Sequence, residues 1–156
     1  MTGEHVPLIL VTNDDGIDSP GLVGAVRAVH DLGEVLVVAP KEQQTGAGRS
    51  LPITNDGIII EEDIRLDGIR LAAYSIRGSP AQAVQYGIIE LASRLPSLVV
   101  AGINYGENVG SGITVSGTVG AALEAAAIGV PALAVSVEAG QEYHYNPSED
   151  IDLRAA

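Results

Sequence analysis

The sequence predicts an α/β domain built as a three-layer sandwich, with helices on both faces of a mostly parallel sheet. Short apolar runs rich in Val, Ile and Leu recur along the chain, which is typical of strands buried on both faces of such a sheet. Segments with helix-cap residues alternate with these runs. The chain has 156 residues, enough for one hydrophobic core and too few for two, so we assign residues 1–156 to a single domain.

A βαβ unit opens the chain. The apolar run 8–11 predicts the first strand. Ser19 followed by Pro20 predicts a helix start, because serine caps helices and proline favours the first helical position. Apolar residues then recur at helical spacing until Gly33, which can end the helix. The run 35–38 predicts a second buried strand, joined to the first by a right-handed crossover.

The middle of the chain has shorter and more exposed strands. A loop rich in glycine and glutamine covers residues 40–50. Strands are predicted at 58–60 and 71–76. The acidic run at 61–63 is interpreted as a solvated turn between them, because like charges in sequence favour exposure over a metal role.

A second helix and a third buried strand follow. Ser79 with Gln82 three residues later matches a capping box, and predicts a helix that lasts to about Leu95. The run 98–101 predicts a strand that leads into a long glycine-rich loop over 102–115. A loop of this length in a compact domain is more often functional than not.

The last predicted helix and strand complete the alternation. Ser116 is expected to cap a helix of small residues that runs through Ala127 and closes at Gly129. Residues 132–137 predict the final strand, and the polar segment 148–150 has the pattern of another helix start.

Composition excludes several classes of function. Twenty acidic and eight basic residues give a formal charge of −12, which disfavours nucleic-acid polymers and acidic membranes as partners. A small phosphate is still compatible where a metal ion supplies positive charge. The absence of cysteine excludes disulfides, thiolate metal sites and cysteine nucleophiles. No signal peptide and no apolar run of membrane length is recognised, so we expect a cytoplasmic protein.

Two adjacent acids come directly after the first predicted strand. Asp14 and Asp15 lie between Asn13 and Gly16, at the strand end where parallel sheets bind ligands. Adjacent carboxylates repel each other unless a cation neutralises them, and an oxygen-only site favours Mg²⁺ or Mn²⁺. The alternative is an Asx turn that only leads into the helix.

Two further segments carry candidate binding groups. Asn104 and Asn108 lie in the glycine-rich loop, which alternatively is a flexible surface loop. Ser116, Gly117 and Thr118 open the third helix, where free backbone amides and hydroxyls can bind an anion. Simple capping by Ser116 is the other interpretation, and it is compatible with phosphate binding.

Several rival motifs are absent. The chain has a single lysine, Lys41, which lies outside any G-x-x-x-x-G-K-[ST] pattern, so P-loop chemistry is excluded. A receiver domain needs a lysine late in the chain, and none follows position 41, so that class is excluded as well. There is no D-x-D phosphatase spacing at the acidic pair and no Gly-x-Ser-x-Gly elbow. His5, His30 and His144 have no obvious catalytic neighbours in sequence, although His144 stays open as a candidate.

With these residues in view, the chain resembles the SurE family, the survival-protein-E nucleotidases. The ordered set of matching stretches is highly specific and comprises residues 9–17, 19–22, 39–50, 78–81, 101–110 and 116–124. The resemblance implies a SurE-like, Rossmann-like sandwich and a 5′-nucleotidase or acid-phosphatase-type hydrolase that acts on nucleoside monophosphates. It also implies a homodimer or homotetramer. Family members continue beyond position 156, so the C-terminal part of the family fold is expected to be missing.

The resemblance further implies the ligand set of one divalent metal ion, Mg²⁺ or Mn²⁺, per subunit. Carried over to this chain, the ligands are Asp14, Asp15, Thr45 and Asn104, with Thr45 in place of the usual serine.

Asp14 is also the candidate for a direct catalytic role. Asn13 is expected to bind substrate together with Ser116, Gly117 and Thr118. The alternatives are a nucleotide- or metal-binding module without turnover, because of the C-terminal truncation, and an unstable fragment without activity.

Overall fold

The computed structural model describes residues 6–53, 56–66, 68–144 and 153. Its strands in chain order are β1 (Leu8–Thr12), β2 (Glu34–Pro40), β3 (Ile59–Leu66), β4 (Ile69–Ile76), β5 (Leu98–Tyr105) and β6 (Ala132–Val137). Its α-helices are α1 (Pro20–Val29), α2 (Pro80–Tyr86) and α3 (Gly117–Ile128). No helix in these ranges is both long enough and apolar enough to cross a membrane.

The strands form one sheet in the order β3-β4-β2-β1-β5-β6. Every neighbouring pair is parallel except β3 and β4, which form an antiparallel hairpin at one edge. Strand β1 is central, and Leu10 in it lies opposite Leu36 of β2 and Val99 of β5. The carboxyl ends of β2, β1 and β5 therefore lie side by side, which brings the three polar loops together.

Helices cover both faces of the sheet, which confirms the predicted three-layer, Rossmann-like α/β sandwich. Helix α1 packs with one set of alternating strand residues, which includes Val11 and Val37. Helices α2 and α3 pack on the opposite set, which includes Leu10 and Val38. Alternating side chains of a strand point to opposite faces, so each buried strand serves both cores.

The predicted helix starts are confirmed at three serines. Ser19, Ser79 and Ser116 cap α1, α2 and α3, and each side-chain oxygen accepts a backbone amide of the first turn. Ser79 also forms the complete capping box with Gln82. Gly129 closes α3 with a φ of 94°, a left-handed conformation that favours glycine.

The interpretation of residues 61–63 as a turn is wrong. These acids lie inside β3, where they pair with residues of β4, and the strand continues to Leu66. Strand β3 is at the sheet edge with one face toward solvent, so charged side chains are tolerated there. Glu62 accepts hydrogen bonds from Lys41 at 3.0 Å and from Ser75 at 2.5 Å, which neutralises the one acid that faces inward.

Three other predicted boundaries are corrected. Helix α1 ends at Val29 rather than at Gly33. The second helix changes to a wider π-turn over Gly87–Leu91 and ends before Leu95, because the Ala92 amide bonds back to the Gly87 carbonyl. Strand β5 continues through 102–105, a segment predicted as loop, because its backbone pairs with β6 after a register shift. The helix start predicted at 148–150 lies outside the described residues, as does His5.

Candidate metal and phosphate site

The first loop begins where β1 ends, with a side chain that closes a turn. The Asn13 Nδ2 group donates to the Gly16 carbonyl at 2.9 Å, and the Gly16 amide donates to Asn13 Oδ1 at 3.2 Å. Gly16 has a φ of 100°, which only glycine adopts readily. The Asx-type turn is thus made by Asn13, which leaves both acids free of this local role. The substrate contact expected of Asn13 stays a prediction.

The Asp14 side chain lies against the start of helix α3. The Thr118 hydroxyl donates to Asp14 Oδ1 at 2.5 Å, and both residues are buried. A Cβ atom at Gly117 would lie 2.7 Å from the Asp14 Cβ atom, so glycine is needed for this approach. Burial raises the pKa of the Asp14 carboxyl, while the Thr118 hydroxyl and the backbone amides of Gly117 and Thr118 act in the opposite direction.

The Asp15 carboxyl has one bonded oxygen and one without a partner. Its Oδ1 atom accepts from Gln43 Nε2 at 3.1 Å. Its Oδ2 atom is buried and has no hydrogen-bond partner among the described residues. Burial, and next the charge of Asp14, raise the pKa of Asp15 from 3.8 to about 7, against the lowering effects of Tyr105, Gln43 and His144. An unpaired carboxylate oxygen beside a second carboxylate is an arrangement that a cation stabilises.

The second loop is held against both acids. The Gln44 amide donates to the Asp14 carbonyl at 2.7 Å, and Gln43 bonds the Asp15 side chain. Thr45 follows directly and is exposed. The structure therefore places the Thr45 segment next to the acidic pair, as the predicted ligand set requires, while ligation by Thr45 stays a prediction.

A buried acid fastens the far end of this loop to the helices. Glu124 of α3 is only 3% exposed, and it accepts from Arg49 Nε at 2.7 Å and from Gln85 Nε2 of α2 at 2.8 Å. The loop backbone comes so close that a Cβ atom at Gly120 would lie 2.1 Å from the Gly48 carbonyl oxygen. These contacts determine where the loop lies over α3.

Asn104 lies near the end of β5, just beyond the register shift with β6. It is half-buried, and its Nδ2 group donates to the Gly106 carbonyl at 2.7 Å, so its amide oxygen is not used in this bond. Asn108 instead donates to the Ser136 hydroxyl of β6 at 2.6 Å. The structure thus gives Asn108 a role in tying the third loop to β6, and leaves Asn104 as the candidate metal ligand of that loop.

The start of α3 combines capping with the contact to Asp14. Ser116 is buried, and its hydroxyl oxygen accepts the Val119 amide at 3.1 Å, which confirms simple capping. The backbone groups of Gly117 and Thr118 also interact with the Asp14 carboxyl and lower its pKa, against the larger effect of burial. A phosphate group at this helix start would therefore meet the Asp14 carboxylate.

The loops at the three strand ends thus come together around Asp15. The loop after β2 reaches it through Gln43, and the Tyr105 backbone of β5 and the His144 ring are close enough to lower its pKa. No three His, Asp or Glu side chains form a metal-ligand group in the described ranges, so a site here also needs amide and hydroxyl oxygens. An open cavity of about 690 Å³, lined by His30 and Glu34 among others, lies at the amino ends of β1 and β2, the strand ends opposite to these loops.

Two residues of this site were missed by sequence reasoning. Gln43 and Glu124 contact partners that are distant along the chain, 28 residues for Gln43 with Asp15 and 75 for Glu124 with Arg49. The only signal for Glu124 in the sequence is that it is a single acid in a helix of small residues. No sequence signal distinguishes Gln43 from its neighbour Gln44.

The chain is similar to known proteins in sequence and in fold. The family model for Survival protein SurE matches residues 9–155. The 5′-nucleotidase SurE of Methanopyrus kandleri is 52% identical over 130 residues, which is 83% of this chain and 48% of the relative. The corresponding protein of Methanothermobacter thermautotrophicus is 46% identical over 151 residues, 95% of this chain and 56% of the relative.

A solved structure is similar as well. The crystal structure of the SurE protein from Aquifex aeolicus superimposes with a TM-score of 0.71 at 36% identity, and the match covers 86% of this chain and 52% of that one. The chain spans about half the length of the curated relatives it matches, 48% and 56% for the two above. On the family model, the sequence identities and the shared fold, this chain belongs to the SurE family.

Proposed function

We propose that this chain is a metal-dependent phosphomonoesterase that hydrolyses nucleoside monophosphates to nucleoside and phosphate. The observation that carries the proposal is the buried Oδ2 atom of Asp15, which has no partner in the described part of the chain and lies beside a second buried acid. Relatives named 5′-nucleotidase SurE support the reaction class and the substrate class.

The residues present fit a divalent cation. Asp14 and Asp15 would supply carboxylate oxygens, Asn104 an amide oxygen and Thr45 a hydroxyl. An all-oxygen set of this kind suits Mg²⁺ or Mn²⁺, and the repulsion between the two carboxylates falls when a cation binds. When bound, such an ion polarises a phosphoryl oxygen and lowers the pKa of a bound water.

The protein itself would orient the phosphate and the acids. The positive end of α3 and the amides of Gly117 and Thr118 favour an anion at the helix start, with Ser116 next to it. Asp14 already occupies that position through Thr118. A phosphate beside this position would lie within reach of the Asp14 carboxylate where a bound cation offsets the repulsion between the two anions, which supports Asp14 as the residue with a direct role in the reaction.

The proposal is tested by phosphate release from 5′-AMP and 5′-GMP with Mn²⁺, with Mg²⁺ and with EDTA. We expect release only with a metal, and loss of at least about 100-fold in Asp14→Asn, as for other residues acting directly in the reaction. Glu42→Gln is the matched control, because Glu42 is an exposed acid of the neighbouring loop. Undiminished turnover in Asp14→Asn would refute the role of Asp14.

A second candidate is a nucleotide- or metal-binding module without turnover. It is favoured by the span of the chain, about half of the relatives' length. Calorimetry separates the two: binding of Mn²⁺ and 5′-AMP without phosphate release supports the module, and release supports the enzyme.

Assembly and location complete the proposal. We propose a homodimer or homotetramer in the cytoplasm, without nucleic-acid or membrane partners, in line with the charge of −12. Analytical ultracentrifugation with and without Mn²⁺ measures the assembly directly.

A further inference from the structure

The side chain of Gln43 joins the loop after β1 to the segment that ends at residue 144. Its Nε2 group donates to Asp15 Oδ1 at 3.1 Å and to the His144 carbonyl at 2.8 Å. An amide nitrogen carries two hydrogens, so both are used by these two acceptors. The His144 carbonyl belongs to the main chain, so the bond to it holds the Gln43 amide group in place. The second bond then connects this amide group to Asp15.

The segment that carries this anchor is itself held at the site. The His144 ring lies so close to Gly106 that a Cβ atom there would be 2.8 Å from the His144 Nε2 atom. That ring nitrogen also lies 3.1 Å from the Ala139 carbonyl. The backbone of residue 144 therefore has a defined position beside β5.

The two oxygens of Asp15 are made unequal by this arrangement. Oδ1 is bonded by Gln43, while Oδ2 is buried without a partner among the residues described. The two oxygens of a carboxyl group turn together about the Cβ–Cγ bond, so a bond that holds Oδ1 in place also sets the direction of Oδ2. We propose that Gln43 is a positioning residue that, anchored on the carbonyl of residue 144, turns the Oδ2 atom of Asp15 toward the metal. This inference rests on the proposed function.

The test measures Mn²⁺ affinity of the purified full chain by calorimetry, together with the Mn²⁺ electron paramagnetic resonance spectrum and the thermal melt. Gln43→Leu keeps the approximate size and removes both donors. Outer partners of metal ligands typically change affinity by about 10–100-fold, so we expect Kd for Mn²⁺ to rise by about that factor. The melting temperature without metal should fall by only a few degrees, because Gln43 makes two hydrogen bonds at a half-buried position and each contributes about 1 kcal/mol.

Two further variants separate positioning from structure. Gln44→Leu is the matched control. It removes the same kind of side chain one position along, where the side chain has no hydrogen bond to the described residues, and it retains the Gln44 backbone amide that donates to the Asp14 carbonyl. It should keep the wild-type Kd for Mn²⁺. Gln43→Asn retains an amide that is one methylene shorter and cannot reach both acceptors, so we expect a Kd between those of the wild type and Gln43→Leu.

The outcomes are distinguishable. Weaker Mn²⁺ binding in Gln43→Leu, with a fall of only a few degrees in the metal-free melting temperature and wild-type Mn²⁺ binding in Gln44→Leu, supports the positioning role. Wild-type affinity in Gln43→Leu overturns it and leaves the proposed function intact. If the metal-free melting temperature of Gln43→Leu falls so far that the variant is partly unfolded in the binding measurement, the role of Gln43 is structural and the positioning proposal is overturned too. Absence of Mn²⁺ binding in the wild type overturns both proposals.

Discussion

Replacing Asp15 with Asn is expected to stabilise the metal-free protein near pH 8 and to remove its response to Mn²⁺. The Asp15 carboxyl is half-buried beside Asp14, and its Oδ2 atom has no partner in the described ranges. Burial, followed by the charge of Asp14, raises the pKa of Asp15 from 3.8 to about 7. An ionised Asp15 therefore costs free energy in the folded state, and Asn has no charge to bury.

The sign of the pH dependence follows from the raised pKa. In the unfolded chain the carboxyl titrates near 3.8, and in the folded protein near 7. The contribution of Asp15 to stability is fully present below pH 3.8 and is lost as the pH rises through about 7, because the unfolded chain releases its proton first. In Asp15→Asn this loss is absent.

The magnitude can be worked from the same values. The difference between 3.8 and about 7 corresponds to about 4 kcal/mol. The new amide has no acceptor at the Oδ2 position, and an unpaired buried amide costs about 1–3 kcal/mol. The net gain in free energy of unfolding expected near pH 8 is therefore about 1–3 kcal/mol, and no gain is expected near pH 4.

Urea unfolding of both proteins in EDTA, at about pH 4 and about pH 8, measures this difference. In a second series near pH 8, excess Mn²⁺ should raise the free energy of unfolding of the wild type, because a ligand that binds only the folded state stabilises it. The free energy of unfolding of Asp15→Asn should not change with Mn²⁺. If Asp15→Asn is less stable than the wild type near pH 8 in EDTA, or if the difference is the same at both pH values, the argument from burial and repulsion is refuted.

Two further predictions concern helix α3. Thr118→Val keeps the shape but removes the hydroxyl bonded to Asp14, so urea unfolding near pH 8 should show a loss of about 1–3 kcal/mol; an unchanged midpoint would contradict the role of this bond. Gly120→Ala should lower stability by about 1–3 kcal/mol although alanine favours helices, because the new Cβ atom would lie 2.1 Å from the Gly48 oxygen. Gly112→Ala meets no atom within 4 Å and should change stability by at most about 0.5 kcal/mol, so equal thermal shifts in the two variants would count against this contact.

The elements that sequence predicted best are those whose causes are local. The run 8–11 is apolar at every position, and a strand buried on both faces needs this pattern. Ser19, Ser79 and Ser116 accept backbone amides that lie within three residues along the chain, so each helix start depends only on neighbouring residues. The acidic pair could be located at a strand end for the same reason.

The elements predicted wrongly depend on partners that are distant in the chain. Residues 61–63 have the composition of a turn, but β4 supplies their backbone hydrogen bonds and the sheet edge exposes their charges. Residues 102–105 are rich in turn formers, but β6 pairs with them beyond the register shift. Propensity is a weak prior where such pairing is available.

The sequence by itself determined the α/β class, the capped helix starts, and the Asn13-Asp14-Asp15-Gly16 loop at the end of a buried strand. Only the tertiary structure decided how the two acids differ. Asp14 is bonded by Thr118, which is 104 residues away, whereas Asp15 keeps one oxygen without a partner in the described chain. The physical reason is that the pKa and orientation of a carboxyl depend on burial and on donors in contact with it. In this protein those donors are brought to the β1 end by other strands and helices.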